Sequence, residues 1–166
     1  LIAIEWRHFD CHHVLDLHHA DHLLALGLGH QDLWEGVLRG QSTVRNLTRF
    51  DPTPYRSRMA AEIDLDIASY LDRKQIKRLD RFTQFALIAS RMAVEDARLN
   101  LGAESSDMVG VLMGSALGGI TMAETQHNVY LQHGLRAVNP ALALAEVGGW
   151  CSCAVAIDLG ITGPNV

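Results

Sequence analysis

The sequence predicts an α/β layered fold, and three observations lead to it. A long stretch from about Ser69 to Leu99 places Leu79, Phe82, Ala86, Ala89 and Ala93 three and four residues apart, the stripe of a helix buried on one side. The run "MVGVLMGS" (108–115) is apolar and partly β-branched, over a length suited to a buried strand. It empties into the small-residue turn "GSALGG", and a second helix is expected from about Ile120 to Gln132, ending at Gly134. Helices alternating with strands in this way are built as layers on a sheet.

The other elements follow in order. Residues 1–25 stand apart: they carry six of the nine histidines and no Gly or Pro. From Leu26 onward the sequence is conventional. "HQDLWEGVLRG" (30–40) sets Leu33, Trp34, Val37 and Leu38 on one helical face, with Gly40 as its C-cap. "QSTVRNLTRFDPTPYRSR" (41–58) reads as a loop, with two prolines and several turn formers. Pro140 opens a last helical stretch that reaches Gly160.

A length of 166 residues suits one domain with a real core. Net charge is −5, which argues against wholesale binding of nucleic acid or membrane, so any basic patch must be local. No apolar run approaches the length of a membrane span. Cys151 and Cys153 are too close in sequence for an ordinary bridge. A reducing, cytoplasmic location is expected, without a signal peptide. The chain opens on Leu1 rather than Met and closes on the turn signal "GITGPNV". Both ends are expected to be cut from a longer reading frame.

Four features invite a chemical reading. In "DCHHVLDLHHADHLL" (10–24), His18 and His22 would share a helix face, and Cys11 or Asp16 could complete a zinc tetrahedron. The adjacent pairs His12–His13 and His18–His19 diverge on a helix, and no H-E-x-x-H is present. The stretch reads better as solvated or non-native sequence, and no metal site is expected. The thiols of "CSC" (151–153) lie among apolar flanks with no basic neighbour, so buried, inert cysteines are expected. "GSALGG" (114–119) could cradle an anion or form a pocket wall, or be a tight turn with close backbone approach. Arg73, Lys74, Lys77, Arg78 and Arg81 fall on one face of the predicted helix, five of the 14 basic residues of an acidic chain. Such a concentration points to an acidic partner, because complementary potential steers encounter; the plainer reading is a solvated helix face.

The segments "LWEGVLRGQSTVRNLTRFD", "YLDRKQIKRLDRFTQFALIASRMAVEDARLNL", "VGVLMGSALGGI" and "DLGITGPN" occur in that order. Together they resemble the chain-elongating type II β-ketoacyl-acyl-carrier-protein synthases from about Leu26 to Val166. The resemblance implies a thiolase-like fold of five α/β layers, of which this chain holds most of the N-terminal half. It implies a homodimer in the parent enzyme, and no bound cofactor, since substrates arrive on the phosphopantetheine of acyl carrier protein. In the implied reaction the acyl group passes from pantetheine sulfur to a Cys, and decarboxylation of malonyl-carrier protein then drives a Claisen condensation in fatty-acid biosynthesis. That Cys follows G-P-N by several residues, and two His and a Lys lie in the second half. No catalytic residue is therefore expected among these 166, and the chain alone is expected to be inactive. Two features carry over. Arg73, Lys74, Lys77 and Arg78 match the helix that docks the carrier protein, and Leu117 matches the apolar position that lines the acyl pocket.

Two departures from the family pattern matter. "GGWCSC" (148–153) puts Trp150 and Cys153 where small residues let helices approach. "DLHHADHLLALG" stands where the family's first strand should be, and a His-rich run cannot supply a buried parallel strand. The expected organisation is an atypical, non-native segment at 1–25 with its first strand disrupted, then a partial synthase domain at 26–166. A frame error or a fusion to foreign sequence would account for it. The alternatives are a non-catalytic homologue, such as a chain-length-factor-like partner, and a His-rich metal-binding protein.

Overall fold

The computed structural model describes residues 2–3, 23–102 and 107–166. In chain order the elements begin with β1 (Ile2–Ala3), β2 (Leu23–Leu24), β3 (Gly27–Leu28), α1 (Gly29–Leu38), β4 (Val44–Asn46) and β5 (Met59–Ala61). After a 3₁₀ turn at Ile67–Ser69 come α2 (Arg73–Arg78), α3 (Arg81–Asp96), β6 (Leu112–Met113) and α4 (Ile120–His133). A second 3₁₀ turn at Leu135–Ala137 leads to α5 (Leu142–Ala145) and α6 (Trp150–Leu159). The chain divides into two units, Ala20–Asp66 and the remainder.

In the smaller unit β2 and β3 pair as a short antiparallel hairpin, with Leu24 opposite Gly27. Helix α1 forms where expected, but Trp34, Val37 and Leu38 are all exposed. The expected loop at 41–58 contains a strand: β4 pairs antiparallel with β5, with Arg45 opposite Ala60. Glu62 ties this hairpin together. Its buried carboxylate accepts from the Thr48 N–H at 3.1 Å, the Thr48 hydroxyl at 2.9 Å and the Arg49 N–H at 3.2 Å. Burial pushes the Glu62 carboxyl up, but these donors and Arg45 outweigh it and hold it below the usual carboxylate range.

The larger unit is built on α3 and α6, which pack against each other. The expected single helix from Ser69 to Leu99 is two helices. At the break Leu79 is extended and Asp80 caps α3, its Oδ1 accepting the Phe82 N–H at 3.2 Å. Asp72 caps α2 in a full capping box with Gln75. The apolar stripe continues across the break, which is why periodicity alone does not show it. Burial on α3 also goes further round than one stripe: every residue from Thr83 to Ser90 except Phe85 is buried. Leu87, Ile88 and, on α6, Val155 are almost wholly buried, each contributing about 1.5–3 kcal/mol.

The strand expected at 108–115 is shorter than its sequence suggests. Val109 and Val111 are buried, and Val111 bridges Asn165 in parallel while β6 pairs antiparallel with β1. The helix expected over 120–132 is α4, stopped by Gly134 at φ +78°. The last stretch, expected as one helix, is interrupted at residues 146–149 and ends at Gly160 in the left-handed conformation. No helix among the described residues is long and apolar enough to cross a membrane.

Candidate functional site

Arg73, Lys74, Lys77 and Arg78 all lie on α2, a six-residue helix with no buried residue. Two features hold this short helix. Asp72 Oδ1 accepts the N–H groups of Lys74 and Gln75, both at 2.7 Å, and Lys77 and Arg78 in the last turn face the negative end of the helix dipole. The four side chains are exposed and line an open concavity of about 300 Å³. None of them pairs with a carboxylate among the described residues, so the patch keeps its full charge. Arg81, expected on the same face, begins α3 instead, and its guanidinium stacks over Phe85 at 4.5 Å from the ring centre.

A second concavity, of about 340 Å³, runs along the other side of α2 toward α6. Lys74 and Arg78 belong to both. The carboxylate at its end, Asp158, takes a bidentate contact from Arg91 at 2.6 and 2.7 Å and a hydrogen bond from Gln75 Nε2 at 3.2 Å. The Asp158 contact holds the Arg91 guanidinium above its ordinary value. Sequence reasoning missed Asp158, because its partner is 67 positions away and nothing local marks the pair.

"GSALGG" is a tight turn with close backbone approach. Gly118 has φ +60°, and a Cβ at Gly119 would overlap the Ala145 carbonyl oxygen. Ser115 Oγ accepts the Gly118 N–H at 3.0 Å. Leu117, on this turn, is 72% exposed. Behind it, Asp80 Oδ2 accepts the Met122 N–H at 2.6 Å, so one buried carboxylate caps both α3 and α4.

Cys151 is buried, and burial pushes its thiol up to about 11. The nearby Thr83 hydroxyl opposes the shift without reaching hydrogen-bond geometry. A thiol held in that range stays protonated at neutral pH and is a poor nucleophile, as the sequence implied; Cys153 is half-buried. Cys11, Asp16 and the histidines at 8, 12, 13, 18, 19 and 22 lie outside the described residues. Among the described residues no three His, Cys, Asp or Glu side chains cluster as metal ligands would.

Residues 21–166 match the family "Beta-ketoacyl synthase, N-terminal domain". The chain belongs to this family. It is 37% identical over 136 residues to 3-oxoacyl-[acyl-carrier-protein] synthase 2 of Synechocystis, covering 81% of this chain and 33% of that protein. The enzyme of the same name from Staphylococcus aureus is also 37% identical, over 133 residues, with 80% and 33% covered. The chain thus spans about a third of the length of these curated relatives. Among solved structures, the ishigamide ketosynthase/chain length factor superposes with a TM-score of 0.74 at 24% identity, covering 88% of this chain and 37% of that one. A type II polyketide acyl-carrier protein in complex with its ketosynthase gives 0.66 at 18% identity, with 85% and 37% covered. These likenesses establish the fold as that of a partial ketosynthase N-terminal domain, α/β with few strands and thiolase-like by family.

Proposed function

We propose that this chain is the N-terminal part of a 3-oxoacyl-[acyl-carrier-protein] synthase, a cytoplasmic acyltransferase of fatty-acid biosynthesis, and that α2 is the face on which acyl carrier protein docks. One observation carries the docking reading: four exposed cations without carboxylate partners among the described residues, gathered on a doubly fastened helix of a chain whose net charge is −5. An acidic partner gains from such a patch chiefly in encounter rate and orientation. The relatives' names support the reaction class. The covalent chemistry, acyl transfer to a cysteine and decarboxylative condensation with malonyl-carrier protein, belongs by resemblance to residues beyond Asn165. What this chain's own residues supply is the landing surface and, through Leu117 on its rigid turn, part of the acyl-pocket wall of a homodimeric parent. Residues 1–25 are, on the same proposal, an atypical segment not native to that enzyme.

The test is charge reversal. Lys74→Glu with Lys77→Glu should weaken binding of acyl carrier protein roughly tenfold or more at low salt, with the difference shrinking as salt rises. Unchanged affinity in a titration at low ionic strength would remove the docking reading. The likeness to a ketosynthase/chain length factor supports one alternative, a non-catalytic partner subunit. The residue at the nucleophile position separates the two: Cys for an enzyme, Gln or Glu for a partner.

A further inference from the structure

We infer that Gln75 is a positioning residue: tied to the Arg91–Asp158 pair, it keeps the four-cation helix α2 ordered before an acidic partner arrives. The inference rests on the docking reading above and adds how that surface is held in shape. Left to itself α2 would not persist. It has six residues and buries none of them, about half the length at which an isolated helix becomes even marginal. Its cations also oppose it, since Arg73 with Lys77 and Lys74 with Arg78 are like charges at i, i+4.

Side-chain amides fasten it at both ends. At the far end the buried Gln84 of α3 donates to the Ile76 carbonyl at 3.1 Å and the Leu79 carbonyl at 2.8 Å. At the near end Gln75 works in two directions. Its Oε1 accepts the Asp72 N–H at 3.2 Å, closing the capping box, while its Nε2 donates to Asp158 on α6. Asp158 is itself fixed by Arg91, whose Nη1 also donates to the Tyr70 carbonyl at 2.9 Å, two residues before the cap. The Asp158 carboxylate lines the same concavity as Lys74 and Arg78, where its charge lowers the positive potential. Yet the first turn of α2 is tied to it. Ordering a flexible surface during binding costs affinity, and a surface ordered beforehand escapes that cost. Electrostatics alone and positioning therefore give opposite signs for the loss of Asp158.

The experiment uses the full chain, with amide exchange read by NMR and binding of acyl carrier protein of Staphylococcus aureus read by fluorescence anisotropy. Asp158→Ala should quicken exchange about tenfold at Lys74, Gln75 and Ile76 while Leu87 and Val155 keep their rates. It should also weaken binding about threefold to tenfold, although it removes a negative charge beside the patch. Gln75→Glu keeps a residue suited to the capping box but sets two carboxylates together, and should quicken the same three amides. Adding Asp158→Asn, whose amide can donate to the new carboxylate, should restore them at the wild-type net charge. Unchanged exchange in both single variants would overturn the inference. So would quickening spread evenly over α3 and α6, which would make the tie a general structural one. Binding by Asp158→Ala at or above wild-type affinity, with Lys74→Glu plus Lys77→Glu still weakened, would overturn it and leave the docking reading standing. Wild-type affinity for the charge reversal would end the docking reading and the inference with it.

Discussion

Helix α3 has 16 residues and α4 has 14, yet α3 buries eight of them and α4 buries none. Each was expected from the same helical pattern, but different forces hold them. Helix α3 is located by burial, with Thr83 to Ser90 enclosed almost all round. Helix α4 is located by a few polar contacts, one in its first turn and one at its middle: Asp80 takes the Met122 N–H, and Gln126 Oε1 takes the Asn139 N–H at 2.7 Å. The sequence differences behind this are plain. Helix α3 spaces small and apolar residues closely enough for α6 to approach, whereas α4 interleaves Glu124, Gln126, His127 and Asn128 with its apolar side chains. A helix that depends on burial tolerates few substitutions; one held by a few polar contacts tolerates many at its exposed positions.

The largest expected effect comes from the enclosed helix. Ile88→Ala should cost about 3–4 kcal/mol in urea denaturation, since its side chain is 1% exposed and the space cannot refill. A cost below about 1 kcal/mol would mean that α3 is not located by packing. Asp80→Ala comes next, at about 2–3 kcal/mol, because it uncaps two helices and leaves two part-buried N–H groups unpartnered. Amide exchange should quicken at both Phe82 and Met122; quickening at only one would break the shared cap. The smallest effect belongs to an exposed position in the last turn of α4. Leu131, 66% exposed, should accept Ser within about 0.5 kcal/mol, and a larger loss would show that burial matters there too.

What the sequence made legible follows the same division. The basic cluster was readable because charge is a property of composition, and α4's end because Gly134 follows the last periodic residues and takes the positive φ that ends a helix. The break between α2 and α3 was hidden by a stripe that runs through it. Asp72 with Gln75 three residues on, and Asp80 just before a helix, were the signals that mark it. The β4–β5 pairing lay within a segment whose Pro52 and Pro54 suggested only a loop. The interruption in the last helix falls at Gly148–Gly149, two weak helix formers in succession. The site shows the same limit: its cations are local in sequence, but the groove beside them depends on bringing α6 to α2 across more than seventy positions, and no short-range pattern records that.

The turn at residues 114–119 has a consequence for descent as well as for geometry. Gly118 and Gly119 are held without side chains by the carbonyls of Glu146 and Ala145, and Ser115 is held by its hydrogen bond. Leu117 between them faces outward and touches none of these constraints. A lineage can therefore exchange residue 117 for a smaller, larger or branched side chain while the backbone around it stays where it is. Shape at that point can drift one mutation at a time, with the fold as an unchanging background.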